Sequence, residues 1–156
     1  MRTVSIRLES VDLGRLRWAI SPLWEAVASI RALADPARSA VHVRWLARHR
    51  DDPVLRDPLV NALVVQPRTS FAGFLAPTPT SPTARFADEI LAVRATESDV
   101  VRREIEAGTA RQASDALRAM LDDPAAGLTR LTARLEDYWE RTLAPVWPRM
   151  LVLLQR

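Results

Sequence analysis

Proline sets the strongest constraint on what this chain can become. It locks φ, lacks a backbone donor, and is excluded from helix interiors and central strands. The 156 residues contain 11 prolines. Several stand directly behind a small polar residue, among them Ser21-Pro22, Asp35-Pro36, Asp52-Pro53 and Asp123-Pro124. A Ser or Asp in that place accepts from the free N–H groups of a helix's first turn, and the proline fills a position where no donor is needed. The pattern predicts a chain of short, separately capped helices.

Apolar spacing fills in the helices. Leu23, Val27, Ile30 and Leu33 follow Ser21-Pro22, with Trp24 beside them and read as core. Asp35-Pro36 ends that helix and opens a second. There Val41, Trp45 and Leu46 line one face and Arg44, Arg48 and Arg50 point elsewhere, with Trp45 also read as core. Asp52-Pro53 opens a short apolar stretch from Leu55 to Val65, interrupted at Pro58. Phe86, Ile90, Leu91 and Val93 predict a further helix. Thr96 is expected to cap the next, with Asp99 reaching back, Val100, Val101 and Ile105 as its apolar side, and Gly108 as its stop. Ala113, Leu117, Met120 and Leu121 predict another, and Leu128, Leu131, Leu135 and Tyr138 a long one behind Asp123-Pro124. Pro145 and Pro148 disturb that last helix, and Pro148 begins a new one carrying Met150, Leu151, Leu153 and Leu154.

Two segments depart from this rule. Thr3 to Leu8 alternates, with Val4, Ile6 and Leu8 on one side, which is the period of a half-buried strand. Gln66 to Thr83 holds Pro67, Pro77, Pro79 and Pro82 and reads as a long irregular connection, yet its Phe71, Phe74 and Leu75 are expected to tuck against the protein. The expected fold is mainly α, a single multi-helix domain over residues 1–156 with one short N-terminal β-strand.

Composition narrows the chemistry. The chain has no cysteine, which removes thiolate metal sites and thiol catalysis. MRTVSIRLES lacks the apolar core of a signal peptide, and no run is long enough to span a bilayer, so a cytoplasmic protein is expected. All 22 basic residues are arginine, and they alternate with 19 acidic ones for a net charge of +3. That mixed pattern reads as a solvated, salt-bridged surface more than as a nucleic-acid face. His42 and His49 lie two helical turns apart, too far to share one metal ion. Adjacent carboxylates, Asp88-Glu89 and Asp122-Asp123, diverge on a helix and make no acid/base pair. No glycine-rich phosphate loop or nucleophile elbow is present. The expectation is therefore no enzyme, no catalytic or metal-binding residue and no cofactor. Phe71, Phe74, Trp139 and Trp147 are the residues expected to line a ligand pocket or interface, since the two tryptophans flank the proline-disturbed joint.

Longer motifs carry a resemblance. Gly73-Phe74-Leu75-Ala76-Pro77-Thr78-Pro79 precedes Phe86-Ala87-Asp88-Glu89-Ile90-Leu91-Ala92-Val93-Arg94-Ala95-Thr96. Tyr138-Trp139-Glu140 precedes Leu143-Ala144-Pro145-Val146-Trp147-Pro148-Arg149-Met150. Trp18-Ala19-Ile20-Ser21-Pro22-Leu23 and Ser29-Ile30-Arg31-Ala32-Leu33-Ala34-Asp35-Pro36 open the series. In this order they resemble the N-terminal domain of actinobacterial ArsR-type winged helix-turn-helix transcriptional regulators, over nearly the whole chain. The resemblance implies a regulatory domain that forms a homodimer or holds a small-molecule effector. DNA would be contacted only through a winged helix C-terminal to these residues and absent from them, with no DNA-binding residue in 1–156. Metal sensing through cysteines does not carry over, and no ligand-binding residues come with the resemblance. The rivals are a stand-alone helical protein-interaction module and an enzyme of unrecognised type, which a buried polar cluster around His42 or Glu89 would favour.

Overall fold

A computed structural model of the chain describes residues 18–38, 42–66, 72–109 and 114–155. The strand expected at Thr3–Leu8 lies outside these residues, as do Val41, Phe71 and Ala113. The described residues are mainly helical and contain no strand; a single parallel bridge joins Ile20 to Thr83. Among the described residues eight helices follow one another: α1 (Pro22–Ala34), α2 (Val43–His49), α3 (Pro58–Val60), α4 (Phe86–Arg94), α5 (Ser98–Thr109), α6 (Asp115–Asp122), α7 (Pro124–Thr142) and α8 (Trp147–Leu154). No described helix is long and apolar enough to cross a membrane.

The polar-residue-plus-proline device operates as the sequence suggests. Ser21 Oγ accepts from Trp24 N–H at 2.9 Å and starts α1. Asp123 Oδ1 accepts from Ala126 N–H at 3.0 Å and starts α7. Asp52 starts a 3-10 turn, Pro53–Arg56, through Val54 N–H at 2.9 Å. Pro58 differs from expectation. It does not interrupt an apolar stretch; it opens α3, because Asp57 Oδ1 takes the N–H groups of both Leu59 and Val60 at 2.9 and 3.1 Å. α3 then widens directly into a π-helical stretch, Asn61–Val65, whose Leu63 and Val64 are buried. Asp35-Pro36 also behaves differently: it yields only a short 3-10 turn, Pro36–Arg38, and α2 starts separately behind His42.

The core forms around α7. At 1.5 Å per residue it runs for roughly 28 Å, and α1, α3, α4, α5 and α6 all pack on it. Leu128, Leu131, Leu135 and Tyr138, the stripe read from three- and four-residue steps, are all buried there. Tyr138 is fully enclosed and shares a 2.7 Å hydrogen bond with Ser29 of α1. Burial pushes its hydroxyl up to about 12 against the lowering effect of that bond. α6 meets α7 at Gly127, where a Cβ would lie 2.5 Å from Met120 Cγ and 3.2 Å from Met120 Cα. A side chain there would hold the two helices apart.

Ion pairs tie capping groups to this central helix. Asp57 Oδ2 meets Arg134 Nε at 3.1 Å, and Asp52 Oδ1 meets Arg141 Nη2 at 3.1 Å. Arg94 of α4 reaches Glu136 and also donates to Thr132 Oγ1 at 2.7 Å. These pairs, with Arg50–Asp51, Arg102–Asp99 and Arg118–Asp115, agree with a mixed-sign, solvated surface.

Smaller departures have local causes. Leu91 is 59% exposed, because Phe86, Ile90 and Val93 already fill the buried side of α4. Thr96 does not cap α5: its hydroxyl turns back to Ala92 O, and Val101 N–H bonds Glu97 O, so the helix begins one residue later than expected. Gly108 lies inside α5 rather than beyond its end. The connection from Ala72 to Thr83 does fold its apolar groups inward. Phe74 and Leu75 are buried in a 3-10 turn, held by Glu104 Oε2 accepting from Phe74 N–H at 2.9 Å.

Candidate functional site

The residues expected to line a pocket are placed in two ways. Trp139 is buried and stacks flat on Phe86, with ring centroids 4.4 Å apart and 4° between planes. Trp147 meets the edge of Trp139 at 5.2 Å and packs against the same core. Phe74 is buried as well, and Phe71 lies outside the described residues. The described clefts are lined by other residues. Offset and edge-on aromatic pairs of this kind stabilise by about 0.5–1.5 kcal/mol beyond their buried area, so the trio closes the joint between α7 and α8.

Two tryptophans do the opposite. Trp18 is 84% exposed and Trp24 46% exposed, although Trp24 was expected in the core. The stripe that buries α1 runs Leu23, Ala26, Val27, Ile30, Leu33. At 100° per residue, Trp24 falls off its edge. Both rings border an open cleft of about 540 Å³, whose further walls are Pro77, Pro79 and Leu154. The Ile20–Thr83 bridge builds it: Ile20 N–H bonds Pro82 O at 2.8 Å and Ala84 N–H bonds Ile20 O at 3.2 Å, pinning the proline-rich connection beside the start of α1. Leu154 comes from α8, which has no buried residue and exposes Val152, Leu153 and Leu154.

Glu25 is the single ionisable side chain on the described walls of this cleft. Half-buried on the first turn of α1, it is pushed up by loss of water, with His42 acting the other way. Behind the cleft lies a second carboxylate. Glu89 of α4 is 4% exposed, and its Oε2 accepts from Leu23 N–H at 2.9 Å. It also bonds the Ser21 side chain, and burial raises its carboxyl in spite of both bonds. Glu89 Oε1 is buried without a partner among the described residues. A buried polar cluster thus exists at Glu89, and its members serve the first turn of α1: Ser21 and Glu89 occupy N–H groups that the helix itself leaves free. Ser21 belongs to both places, capping α1 and lining the cleft.

The remaining candidates lie apart. His42 is exposed at the start of α2, and His49 packs its ring 4.8 Å from Trp45, which is half-buried rather than fully in the core. Burial lowers His49, with Asp52 opposing. Arg44, Arg48 and Arg50 are exposed on α2, and Arg102 bonds Leu121 O at 3.0 Å. Among the described residues, no group of three His, Cys, Asp or Glu side chains is placed to hold a metal ion.

The cleft was missed from sequence because its walls come from three distant stretches, residues 18–25, 76–79 and 154. The available signal was the mismatch of Trp24 with the stripe of α1. No protein-family model, curated protein or solved structure matches the chain.

Proposed function

We propose that this chain is the regulatory domain of an ArsR-type transcriptional regulator, cytoplasmic and homodimeric, in which a small effector occupies the cleft and a winged helix that follows α8 reads DNA. One observation carries the reading beyond the motif resemblance: Leu154 of α8 forms a wall of the cleft. A ligand seated there touches the helix that would lead into the DNA-binding domain. An effector shifts DNA affinity only by binding two states unequally, and a wall belonging to the connecting helix supplies that inequality. The hinge would be the turn at 143–146 with Pro145 and Pro148, since α8 is otherwise held mainly through Trp147 and Met150.

The test begins with the reading frame. It is expected to continue past Arg156 into a winged helix, and the full-length protein is expected to retard duplex DNA that residues 1–156 alone do not. A stop codon directly after Arg156 sinks this reading. Replacing Pro145 and Pro148 by alanine in the full-length protein is expected to change how an effector alters DNA binding; unchanged dependence removes the hinge.

A second reading, a stand-alone protein-interaction module, draws on the same helix: Val152, Leu153 and Leu154 are 53%, 67% and 48% exposed. Such apolar surface is unusual on an isolated monomer when contiguous. The stop codon that sinks the first reading would favour this one.

A further inference from the structure

The cleft beside α1 has a chemical bias of its own. Its described lining is aromatic, proline-rich and aliphatic, and Glu25 provides its only charge. Among the described residues no cation lies within ion-pair distance of Glu25. Its volume of about 540 Å³ lies within the usual range for small-molecule sites.

We propose that this cleft binds a small hydrophobic organic cation, of the aromatic-onium or quaternary-ammonium class, between Trp18 and Trp24 with Glu25 as its counter-charge. The argument is one of charge complementarity. Cations are attracted to the π-faces of tryptophan more than to other rings, and the attraction grows as water is excluded. A carboxylate half-removed from water, with His42 as its opposing charge influence and no ion pair among the described residues, gains from an arriving positive charge. The rest of the molecule argues against an anion here: the chain carries a net charge of +3, so anions are drawn to its arginines and away from a cleft whose described walls carry a carboxylate and no arginine. A purely neutral ligand would leave the half-buried Glu25 carboxylate with no added charge compensation. Leu154, Pro77 and Pro79 supply apolar contact for the body of the ligand.

The inference rests on the effector-binding reading for its biological sense, not for its chemistry. It is tested on residues 1–156 with two ions of matched size and opposite sign, tetraphenylphosphonium and tetraphenylborate. Binding is followed by calorimetry and by quenching of tryptophan fluorescence. Tetraphenylphosphonium is expected to bind at one saturable site. Tetraphenylborate is expected to bind at least about tenfold more weakly, against the sign of the net charge. Glu25→Gln is expected to weaken phosphonium binding by about tenfold and to erase the preference between the two ions, with the melting temperature unchanged. Trp24→Leu keeps an apolar wall and is expected to lower phosphonium affinity several-fold. Absence of phosphonium binding, equal or tighter borate binding, or indifference to Glu25→Gln overturns the proposal. These results leave the reading-frame test untouched, and a stop codon after Arg156 leaves them standing, so the two ideas fail separately.

Discussion

Two aromatic regions sit at opposite extremes of packing. Phe86, Trp139 and Trp147 form a stack and an edge contact where α4, α7 and α8 meet. Trp18 and Trp24 border an open cleft at the start of α1. Tryptophan occurs in both, so residue type alone does not decide burial. What decides is register. Trp139 follows Leu135 by four residues and precedes Thr142 by three, and both of those are buried, so its ring continues the stripe of α7. Trp24 sits beside Leu23, one step round the helix from the stripe of α1, and its ring is left to the solvent side. The proline-disturbed joint, where Trp139 and Trp147 were expected to line a pocket or interface, is packed by their rings.

The sharpest way to break this comparison is to truncate one ring from each region. Trp139→Ala is expected to cost about 3–5 kcal/mol of folding stability, the range for losing a large buried ring. Trp24→Ala should cost under about 1 kcal/mol. Urea denaturation of both variants measures the difference, and equal losses would mean that the two regions are not distinct. Gly127→Ala comes next. Alanine gains about 1 kcal/mol in helix propensity, but overpacking typically costs 1–3 kcal/mol. A Cβ 2.5 Å from Met120 Cγ and 3.2 Å from its Cα cannot be relieved by moving a side-chain end alone. The net effect should therefore be destabilising, and a more stable variant would show that α6 can slide away from α7.

Glu89 lies between the two regions and gives a pH-dependent test. Its folded-state carboxyl is raised by burial above its ordinary value. The folded protein then holds that proton more tightly than the unfolded chain does. Its contribution to stability is fullest below the unfolded value and declines as pH rises through the folded value. Glu89→Gln removes this term while keeping an acceptor for Leu23 N–H. The variant is expected to gain on the native protein in denaturation midpoint as pH rises from about 4 to about 8; parallel curves would mean that the carboxylate is ionised at no cost. The smallest stability effect belongs to Leu153→Asp, at 67% exposure, expected within about 0.5 kcal/mol. Its mass in solution is the informative reading: a homodimer through α8 should fall to a monomer, and an unaltered dimer would place the interface elsewhere.

Much of the fold is legible in the sequence because its signals are local. Ser21, Asp52 and Asp123 cap within three residues of themselves, and the stripe of α7 needs only its own spacing. The misreadings come from competition that spacing does not show. Asp57 was overlooked because Pro58 resembles a breaker, while its carboxylate in fact serves two backbone donors at once. Thr96 has a hydroxyl that bonds backward as readily as forward, and the backward bond wins. The cleft is the least legible part. Its walls are remote in sequence, and the bridge between Ile20 and Thr83 that joins them rests on main-chain groups, which carry no residue signature.

The pairing of Asp57 with Arg134, and of Asp52 with Arg141, has a consequence for how the protein opens. Each carboxylate that satisfies local amides also holds a guanidinium on α7. The turn at Pro53 and the start of α3 are therefore tied to α7: the carboxylates that accept from Val54, Leu59 and Val60 N–H also make contacts that span 77 and 89 residues of sequence. In hydrogen exchange these amides should lose protection together with α7, as one cooperative unit, while the exposed turns of α8 exchange early and independently.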